Sequence, residues 1–565
     1  MRFKRVRKDK LLFIFIACFA VFCFACNNFA LAKSEGEVET FFVQKDYDIS
    51  QRASINARLV KISQKAYFYV ESEWYLNISD EQRAIVNANL NQLAQAFDKE
   101  IYPKLTALWG AEWNPGIDND PKITILFEQM AQDAVGYFTD ANEYMRQQSP
   151  NSNEREMIYL STNVLQGKLL KSYVAHEFTH LITFNQKDRQ KGISEDIWLN
   201  EMRAEYSPSY LGYDSEAVFN NVAQRINDFA QAPSDSLTIW ESKQNDYGVV
   251  VMFGYYLVQQ YGVDILVSSL HSNKTGIASL QEAIAQKGET KDLLQIFNDW
   301  AVAVFLNDCS LGEKWCYKNP LLANVHLPAN IIVLPSRGRT NLALSYSLSE
   351  WSSNWYKFIG SEGDLKITFT FDPKGVFALK YVLCEAKGCK VSDFFIDDSK
   401  KPELLIPNFS GRYLSLSLIP SVKARDGTTN KPSLFVFSVN VQTSNEPSRL
   451  TQEEALINEL LMQIEQLKAQ IAQTQAQILA MRKNIISCAS FEKNLFLGLR
   501  DKEVSCLQEF LKSQGSDIYP QGIVSGYFGA LTKAAVMRFQ AKYGILATGY
   551  VGPLTRAKIN QMLVQ

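Results

Sequence analysis

The feature that most constrains this chain is a helix-forming stretch with two histidines four residues apart. Residues 165–187 contain no proline and one glycine, and their apolar residues recur at helical spacing, which predicts a mostly buried helix. His176 and His180 therefore lie on one face, where both imidazoles can reach one tetrahedral cation. Glu177 projects beside them toward the open coordination position. The pattern predicts a zinc centre with a carboxylate beside a metal-bound water, which is typical of hydrolytic enzymes.

Two histidines leave such a centre short of one protein ligand. Glu201 is the first candidate, because it follows His180 by twenty-one residues, enough for a turn and the start of a second helix. Glu195 and Asp196 are competing candidates. Glu205 lies one helical turn after Glu201, where its carboxylate can accept the second N–H of a ligating histidine. A solvent-exposed charge is the alternative for Glu205.

The two motifs together resemble a known family. His-Glu-Phe-Thr-His at 176–180, followed by Asn-Glu-Met-Arg-Ala-Glu-Tyr at 200–206, is similar to the gluzincin metallopeptidases, and residues 38–308 look most similar to secreted bacterial proteases of the hyicolysin type. The resemblance implies an α+β, gluzincin-like peptidase domain at 38–325 that binds Zn²⁺ and cleaves protein or peptide substrates. It also implies that residues 136–138 form an edge strand that holds an extended substrate by backbone hydrogen bonds.

The resemblance further implies a donor to the oxyanion from the helical region that follows the metal ligands. Tyr247 is the candidate, because it opens a predicted helix at 247–261. His271 and His326 compete for this role. A core or capping position is the alternative for Tyr247.

Residues 41–165 combine strand-like runs with an amphipathic helical run at 80–109, which predicts an α+β fold. Within this region, the triplet Asp118-Asn119-Asp120 offers oxygen ligands for Ca²⁺. A surface turn explains the same triplet. We therefore expect Zn²⁺ as the cofactor and treat Ca²⁺ as a weaker expectation.

The N-terminus has the three parts of a secretory signal at 1–32. Six Lys or Arg in the first ten residues precede an uninterrupted apolar run at 11–26 and then Ala30-Leu31-Ala32. A permanent membrane span and a lipid-modified Cys26 are the alternatives. The signal predicts export to the extracellular space or the cell envelope. A formal net charge of -2 gives no indication of nucleic-acid binding.

Six cysteines follow the predicted signal, and they fall in close pairs. The pairs are Cys309 with Cys316, Cys384 with Cys389, and Cys488 with Cys506. An even count, local spacing and export favour three short disulfides, although six cysteines allow fifteen connectivities. Reduced buried thiols are the alternative.

Residues 330–445 change to short β-rich runs separated by Gly, Asp, Lys and Pro, which predicts a β-sandwich. The predicted strands are 342–348, 365–371, 378–383, 413–419 and 433–441. Trp351 and Trp355 in this region are candidates for a sugar-binding platform. Packing in the core or at an edge is the alternative for both rings.

Residues 450–486 carry apolar residues alternately three and four apart, which predicts a coiled-coil linker. Ile at the first core position, with mostly Leu or Met at the second, favours a parallel homodimer. A single-chain spacer is the alternative.

The last segment, 488–565, contains an internal repeat. Gly-Tyr-Phe-Gly-Ala-Leu-Thr at 526–532 recurs as Gly-Tyr-Val-Gly-Pro-Leu-Thr at 549–555, where the glycines permit a tight turn and each Thr is placed to cap a helix. The segment resembles the three-helix peptidoglycan-binding domain of bacterial cell-wall enzymes. The resemblance implies that peptidoglycan is a partner and that the protein is associated with the cell wall.

The leading expectation is a secreted, cell-wall-associated zinc endopeptidase. His176, His180 and Glu201 hold the metal, Glu177 is the general base, and Tyr247 stabilises the oxyanion. A zinc peptidase that acts on peptidoglycan stem peptides is one alternative. A non-catalytic, wall-bound scaffold or adhesin is another.

Overall fold

The computed structural model describes residues 33–131, 134–214, 221–333, 341–360, 363–396, 402–425, 434–443 and 490–563. The expected signal at 1–32 and the expected coiled coil at 450–486 lie outside the described residues. The chain is a mixed α/β, multidomain protein that divides into two compact units, Met1–Ser448 and Arg449–Gln565.

A six-stranded mixed sheet forms one layer of the first unit. Its strands are β1 (Val38–Phe42), β2 (Ser54–Ile62), β3 (Ala66–Glu71), β4 (Ile123–Glu128), β5 (Gly136–Tyr137) and β6 (Met157–Ser161). They lie in the order β1-β2-β3-β4-β6-β5, with β4 parallel to β3 and to β6 and antiparallel pairing elsewhere. The short strand β5 is therefore an edge of this sheet.

The central strands are buried on both faces because their side chains alternate between two apolar cores. Phe68, Ile125 and Leu160 pack with the helices, whereas Tyr69 and Leu126 belong to the core on the opposite face. Burial on both faces is typical of parallel strands and explains why their sequences are almost continuously apolar.

Ten α-helices make up the rest of this part of the first unit, within the residues that the structure describes. They are α1 (Ser72–Asn77), α2 (Asp80–Ala96), α3 (Tyr102–Trp109), α4 (Leu170–Phe184), α5 (Ile197–Tyr210), α6 (Asn221–Gln231), α7 (Gln244–Tyr261), α8 (Asp264–His271), α9 (Gly276–Gln286) and α10 (Leu293–Leu306). No single helix among the described residues is long and apolar enough to cross a membrane, although α7 and α8, bent by 105°, reach that length and apolarity together.

Two of the predicted helices are interrupted by π-helical segments. The helix expected at 165–187 begins only at Leu170, as α4, and continues into a π-helical segment at Asn185–Arg189. The helical run expected at 80–109 consists of α2, a π-helical segment at Phe97–Ile101, and α3. Side-chain periodicity predicts that these helices exist, but it predicts neither the start of α4 nor the local change in hydrogen bonding.

Residues 331–443 form two further sheets. Their strands are β7 (Ile331–Val333), β8 (Asn341–Ser349), β9 (Ser352–Ser353), β10 (Tyr356–Phe358), β11 (Leu365–Phe371), β12 (Gly375–Glu385), β13 (Gly388–Phe394), β14 (Glu403–Ile406), β15 (Ser415–Ala424) and β16 (Leu434–Thr443), with a short helix α11 (Phe409–Arg412) before β15. One sheet has the order β13-β12-β15-β10-β7, with β9 paired to β15, and the other has the order β14-β11-β16-β8. Leu379 and Leu418 from the first sheet and Phe437 from the second share one core, as in a β-sandwich.

The outer face of the first of these sheets packs on α10, so the helices and the sandwich share an apolar core. Trp351 and Trp355 are 1% and 0% exposed and lie within that core. The indole N–H of Trp355 donates to the carbonyl of Ala301 on α10 at 2.9 Å. The candidate sugar-binding platform is therefore wrong, because neither ring has a face open to a ligand.

Polar contacts fix how the sandwich sits on α10. Asn298 Nδ2 donates to the Ile419 carbonyl and to Ser421 Oγ, each at 2.8 Å. Lys380 Nζ lies 2.9 Å from Asp299 Oδ1 in a buried ion pair. Buried polar groups are costly unless they are paired, so these contacts favour one orientation of the two layers.

The described cysteines are oxidised. Cys309–Cys316 and Cys384–Cys389 are disulfides, as expected from their spacing. Cys506 is also disulfide-bonded, and its expected partner Cys488 lies outside the described residues. The alternative of reduced thiols is wrong for the cysteines that the structure describes.

The described part of the second unit is helical, with α12 (Lys502–Ser513), α13 (Ala530–Lys542) and α14 (Pro553–Leu563). The internal repeat has a structural role, since each copy is held by one buried glutamine. Gln508 donates to Tyr527 O and Thr532 Oγ1 and accepts from Gly526 N, and Gln540 donates to Tyr550 O and Thr555 Oγ1 and accepts from Gly549 N. Thr532 therefore does not cap α13 as predicted, and Gly529 occupies the capping position.

The triplet Asp118-Asn119-Asp120 forms a turn. The backbone N–H of Asp120 donates to Asp118 Oδ1 at 3.0 Å, and Asn119 adopts a left-handed φ of 59°. Among the described residues, the group of His, Cys, Asp and Glu side chains that is compact enough to hold a metal ion lies elsewhere. The expected Ca²⁺ site is not supported.

Two buried carboxyl groups lie next to this turn. Glu143 and Glu156 are 4% and 2% exposed, and Glu156 Oε1 accepts from the Ile117 N–H at 2.8 Å. Burial raises the pKa of Glu156 to about 7. Burial and the charge of Glu156 together raise the pKa of Glu143.

The pH dependence of stability tests this pair. The folded chain binds a proton on Glu156 more tightly than the unfolded chain does, so stability should fall as pH rises from 4.5 to about 7. We expect the stability of Glu156→Gln not to show that fall. Its free energy of unfolding should exceed that of wild type by roughly 1 kcal/mol at pH 8, but not at pH 4.5. Thermal unfolding across this range measures the difference, with Glu81→Gln on the exposed face of α2 as control. If stability fell with pH as steeply in Glu156→Gln as in wild type, a raised pKa of Glu156 would be contradicted.

Candidate metal centre

Helices α4 and α5 bring His176, His180 and Glu201 together. The Nε2 atoms of the two histidines are 3.1 Å apart. Glu201 Oε2 lies 3.3 Å from His176 Nε2, and Glu201 Oε1 lies 3.5 Å from His180 Nε2. Ligand atoms of the three residues all lie within 4.8 Å of one another, so one cation can contact all three.

The chemistry of these donors fits Zn²⁺. Two imidazole nitrogens and one carboxylate oxygen are a set of three protein ligands that leaves one position open, as catalytic zinc sites require. Glu201 Oε2 is buried and has no hydrogen bond of acceptable geometry among the described residues. A buried carboxylate oxygen without a donor is costly unless a cation neutralises it.

The competing ligand candidates have other partners. Glu195 Oε2 lies 2.8 Å from Arg203 and 3.3 Å from Lys187, and Glu195 Oε1 accepts from the Gly276 N–H at 2.7 Å. Asp196 lies at the start of α5 and accepts from the Trp198 indole at 3.3 Å. These contacts anchor the beginning of α5, and the following turn of the helix brings Glu201 to α4.

Glu177 lies beside the centre and against the edge of the sheet. Its side chain is buried, and a Cβ added at Gly136 on β5 would come within 2.8 Å of Glu177 Oε1. Glycine is therefore required at that point of the edge strand, since any side chain would displace the carboxylate. Burial raises the pKa of Glu177 to about 8.

Glu205 lies on the far side of His176 from Glu201. Its Oε1 is 3.7 Å from His176 Nδ1, and the carboxylate also accepts from Arg225 at 2.6 Å and from Asn221. Glu205 is 3% exposed, so the alternative of a solvent-exposed charge is wrong.

Tyr247 lines a small cavity of about 90 Å³ together with His176, Glu177 and Glu205. Its ring lies under the guanidinium of Arg225, which is 4.3 Å from the ring centroid. Burial and the nearby charges of Glu201 and Glu205 raise the pKa of Tyr247, so its hydroxyl is protonated at neutral pH. The competitors His271 and His326 line neither of the two cavities beside the centre.

Arg225 has no counterpart in the sequence predictions. It lies on α6 and connects Glu205 with Tyr247, and a second ion pair to Asp228 at 3.3 Å fixes it further. No motif marks this position, because Arg225 follows Glu205 by twenty residues and reaches it through the tertiary fold. The marked amphipathic pattern of α6 is the only local signal that this segment packs against something.

The charges of the centre influence one another. Burial alone would lower the pKa of His176, but the adjacent Glu201 carboxylate and the charges of Glu177 and Glu205 raise it to about 9. Burial lowers the pKa of His180. Burial opposes ionisation of Glu201, but the charges of His180 and His176 hold its pKa below the usual range. A buried site with this excess of carboxylates favours a cation.

Two family models match the chain. The Peptidase M30 model matches residues 48–310, which include every residue of the centre described above. The peptidoglycan binding domain model matches residues 500–559, which include the two glutamine-held repeats.

Two curated proteins are similar to parts of the chain. The neutral metalloprotease ShpI of Staphylococcus hyicus is 27% identical over 196 residues, which cover 31% of this chain and 43% of that protein. The zinc D-Ala-D-Ala carboxypeptidase of Streptomyces albus G is 54% identical over 39 residues, which cover 7% of this chain and 15% of that protein. The chain thus spans less than half of the length of either relative.

A solved structure of a family GH115 4-O-methyl-α-glucuronidase matches with 9% identity and a TM-score of 0.11, over 57% of this chain and 51% of that chain. A score this low carries no argument about fold or activity. The Peptidase M30 match and the candidate metal centre cover the same part of the chain. Residues 48–310 are therefore a Peptidase M30 domain of the hyicolysin family, and a peptidoglycan-binding family domain follows at residues 500–559.

Proposed function

We propose that this chain is a zinc-dependent endopeptidase with a gluzincin-like active site. The observation that carries the proposal is the convergence of His176, His180 and Glu201 on one point, with Glu177 beside them. A bound zinc ion would polarise the scissile carbonyl and lower the pKa of water toward about 7. The Peptidase M30 match and the similarity to a neutral metalloprotease support the same reaction class.

Glu177 is the general base in this proposal. It takes a proton from the attacking water and passes it to the leaving amine. Its position supports the role, because the carboxylate lies between the candidate metal ligands and Gly136 on the edge strand. A substrate paired with β5 would therefore pass beside this carboxylate.

Tyr247 donates its phenolic proton in a hydrogen bond to the oxyanion that develops on the scissile carbonyl. Arg225 stacks on the Tyr247 ring and pairs with Glu205, so it limits the movement of both side chains. Glu205 Oε1 lies 3.7 Å from His176 Nδ1, so a small approach of the two side chains would let it accept the Nδ1 proton and leave Nε2 free to bind the metal. Arg225 and Glu205 are therefore positioning residues. They hold the donor Tyr247 and the metal ligand His176 in place and do not themselves contact the scissile bond.

Protein or peptide chains are the proposed substrates. Among the described strands, β5 has no neighbour on its outer side, where an extended peptide can add as a further strand. Recognition through the backbone is compatible with many sequences, so side-chain selectivity has to come from the cavities beside the strand.

We also propose export and association with the cell wall. The residues at 1–32 have the composition of a secretory signal, and the described disulfides are typical of exported proteins. The peptidoglycan-binding family domain would hold the enzyme at the wall. The heptad pattern at 450–486 makes a parallel homodimer part of this proposal.

A second candidate substrate is the stem peptide of peptidoglycan itself. The observation that favours it is the match of residues 500–559 to a peptidoglycan binding domain, since this domain would deliver the enzyme to that substrate. Release of soluble fragments from purified cell walls, compared with cleavage of casein, separates the two candidates.

Removal of the metal tests the proposal directly. Purified full-length protein should contain about one zinc per chain, lose peptide hydrolysis after chelation, and regain it when stoichiometric zinc is added. Elemental analysis and a peptide-library digest measure both properties on one sample. Hydrolysis that persists without metal would contradict the mechanism. Absence of both zinc and hydrolysis would favour a non-catalytic, wall-bound scaffold.

A further inference from the structure

A second and larger cavity, of about 570 Å³, opens on the His180 side of the centre. It is lined by residues from the segment before β2, the segment after β5, α4 and the start of α5, and it includes His180 itself. Its volume lies within the range of pockets that bind ligands. Because His180 is a candidate metal ligand, a substrate residue close to the scissile bond can place its side chain in this cavity.

Aromatic rings form one wall of this cavity. Tyr47 is 42% exposed and stacks on Tyr137 with ring centroids 4.7 Å apart, and Tyr137 stacks in turn on the buried Tyr159 at 4.3 Å. The Tyr137 hydroxyl accepts from the Gln44 N–H at 3.0 Å and donates to Glu128 at 2.9 Å. The stack is therefore held rigidly and presents the outer face of Tyr47, which suits a flat or cationic group.

The charged groups that line the cavity are carboxylates. They are Asp140, Asp188 and Glu195, and no Lys or Arg lines it. Glu195 is neutralised by Arg203 and Lys187. In the part of the chain that the structure describes, neither Asp140 nor Asp188 forms an ion pair, and Asp188 accepts a hydrogen bond from Ser194 Oγ at 2.6 Å.

The floor of the cavity contains an unused polar group. Thr183, one turn after His180 on α4, is 1% exposed, and its hydroxyl has no hydrogen-bond partner among the described residues. A buried hydroxyl without a partner is costly, and a donor from a bound ligand would satisfy it. An apolar side chain in the cavity would leave the Thr183 hydroxyl without a partner and the charge of Asp188 without a counter-ion, and an acidic side chain would be repelled by Asp188 and Asp140.

We propose that this cavity selects a cationic side chain, arginine or lysine, in the substrate residue next to the scissile bond, with Asp188 as its charge partner and Tyr47 as its stacking surface. The inference rests on the proposed peptidase function and names the substrate class for it. Arginine fits best, because its planar guanidinium can stack on Tyr47 and donate several hydrogen bonds at once.

The test uses zinc-loaded, full-length protein and peptides that differ at one residue. Arginine, lysine, citrulline and norleucine are placed in turn on each side of the scissile bond, where citrulline has the shape of arginine without its charge. We expect kcat/KM at one of the two positions to be about tenfold higher for arginine than for citrulline. The preference should fall to about threefold or less in Asp188→Asn and further in the double variant with Asp140→Asn.

Two further variants keep the test decisive. Tyr47→Leu should reduce the arginine preference a few-fold, since it removes the stacking surface and not the charge. Asp264→Asn removes an exposed charge on α8 that does not line the cavity, and it should keep the wild-type preference. Equal cleavage of the arginine and citrulline peptides by wild type, or an unchanged preference in the double variant, would overturn this inference and leave the peptidase proposal intact. Cleavage of none of the peptides would overturn both.

Discussion

Replacing Glu177 by glutamine is expected to lower kcat/KM for peptide hydrolysis by about 10²–10⁴-fold, with zinc content unchanged. Glutamine is nearly the same size, so the side chain still fits between the metal ligands and Gly136. Its amide cannot take a proton from water, however, and the reaction loses its base. Steady-state kinetics on a fluorogenic peptide, with elemental analysis of the same preparation, measures both properties.

A matched control separates the loss of the base from a general effect of changing a buried carboxyl group. Glu112 is 2% exposed and accepts from the Tyr102 hydroxyl at 2.7 Å, and it lines neither cavity beside the centre. Glu112→Gln should therefore keep most of the activity. Near-normal hydrolysis by Glu177→Gln would exclude Glu177 as the general base, whatever its position.

The local geometry of the centre is predictable because helices and short loops are regular. Two histidines four residues apart must share a helical face, so His176 and His180 can be grouped from spacing alone. A connection of about twenty residues returns the chain to that face and makes Glu201 a candidate third ligand, with Glu195 and Asp196 as competitors. Arg225 and Asp188 cannot be found in this way. Their roles depend on which distant segment packs beside them, and no periodic pattern records that.

The same limit applies to the fold. Alternating apolar residues predict strands at 342–348 and 365–371, which lie within β8 and β11. They do not reveal what the outer face of a sheet packs against. Trp351 and Trp355 are ambiguous in the sequence for this reason, since an aromatic residue near a strand suits a ligand platform and a core equally well. Only the position of α10 decides between them.

The apolar core that the helices share with the sandwich leads to the second prediction of a large effect. We expect Trp355→Ala to destabilise the first unit by about 3–5 kcal/mol, because it leaves a cavity and removes the hydrogen bond to Ala301. Chemical denaturation, followed both by tryptophan fluorescence and by peptide hydrolysis, measures the change. Phe395→Ala is the control, since Phe395 lies in the same sheet region and is 85% exposed.

The important comparison is between the two signals. If the sandwich were an independent domain, Trp355→Ala would destabilise only the sandwich. Peptide hydrolysis would then be lost at the same denaturant concentration as in wild type. A shared core predicts instead that both signals shift together, because α10 also packs on α7, which carries Tyr247 at its start. For the same reason, a chain that ends at residue 329 should lose hydrolysis by misfolding, although every residue of the metal centre is still present.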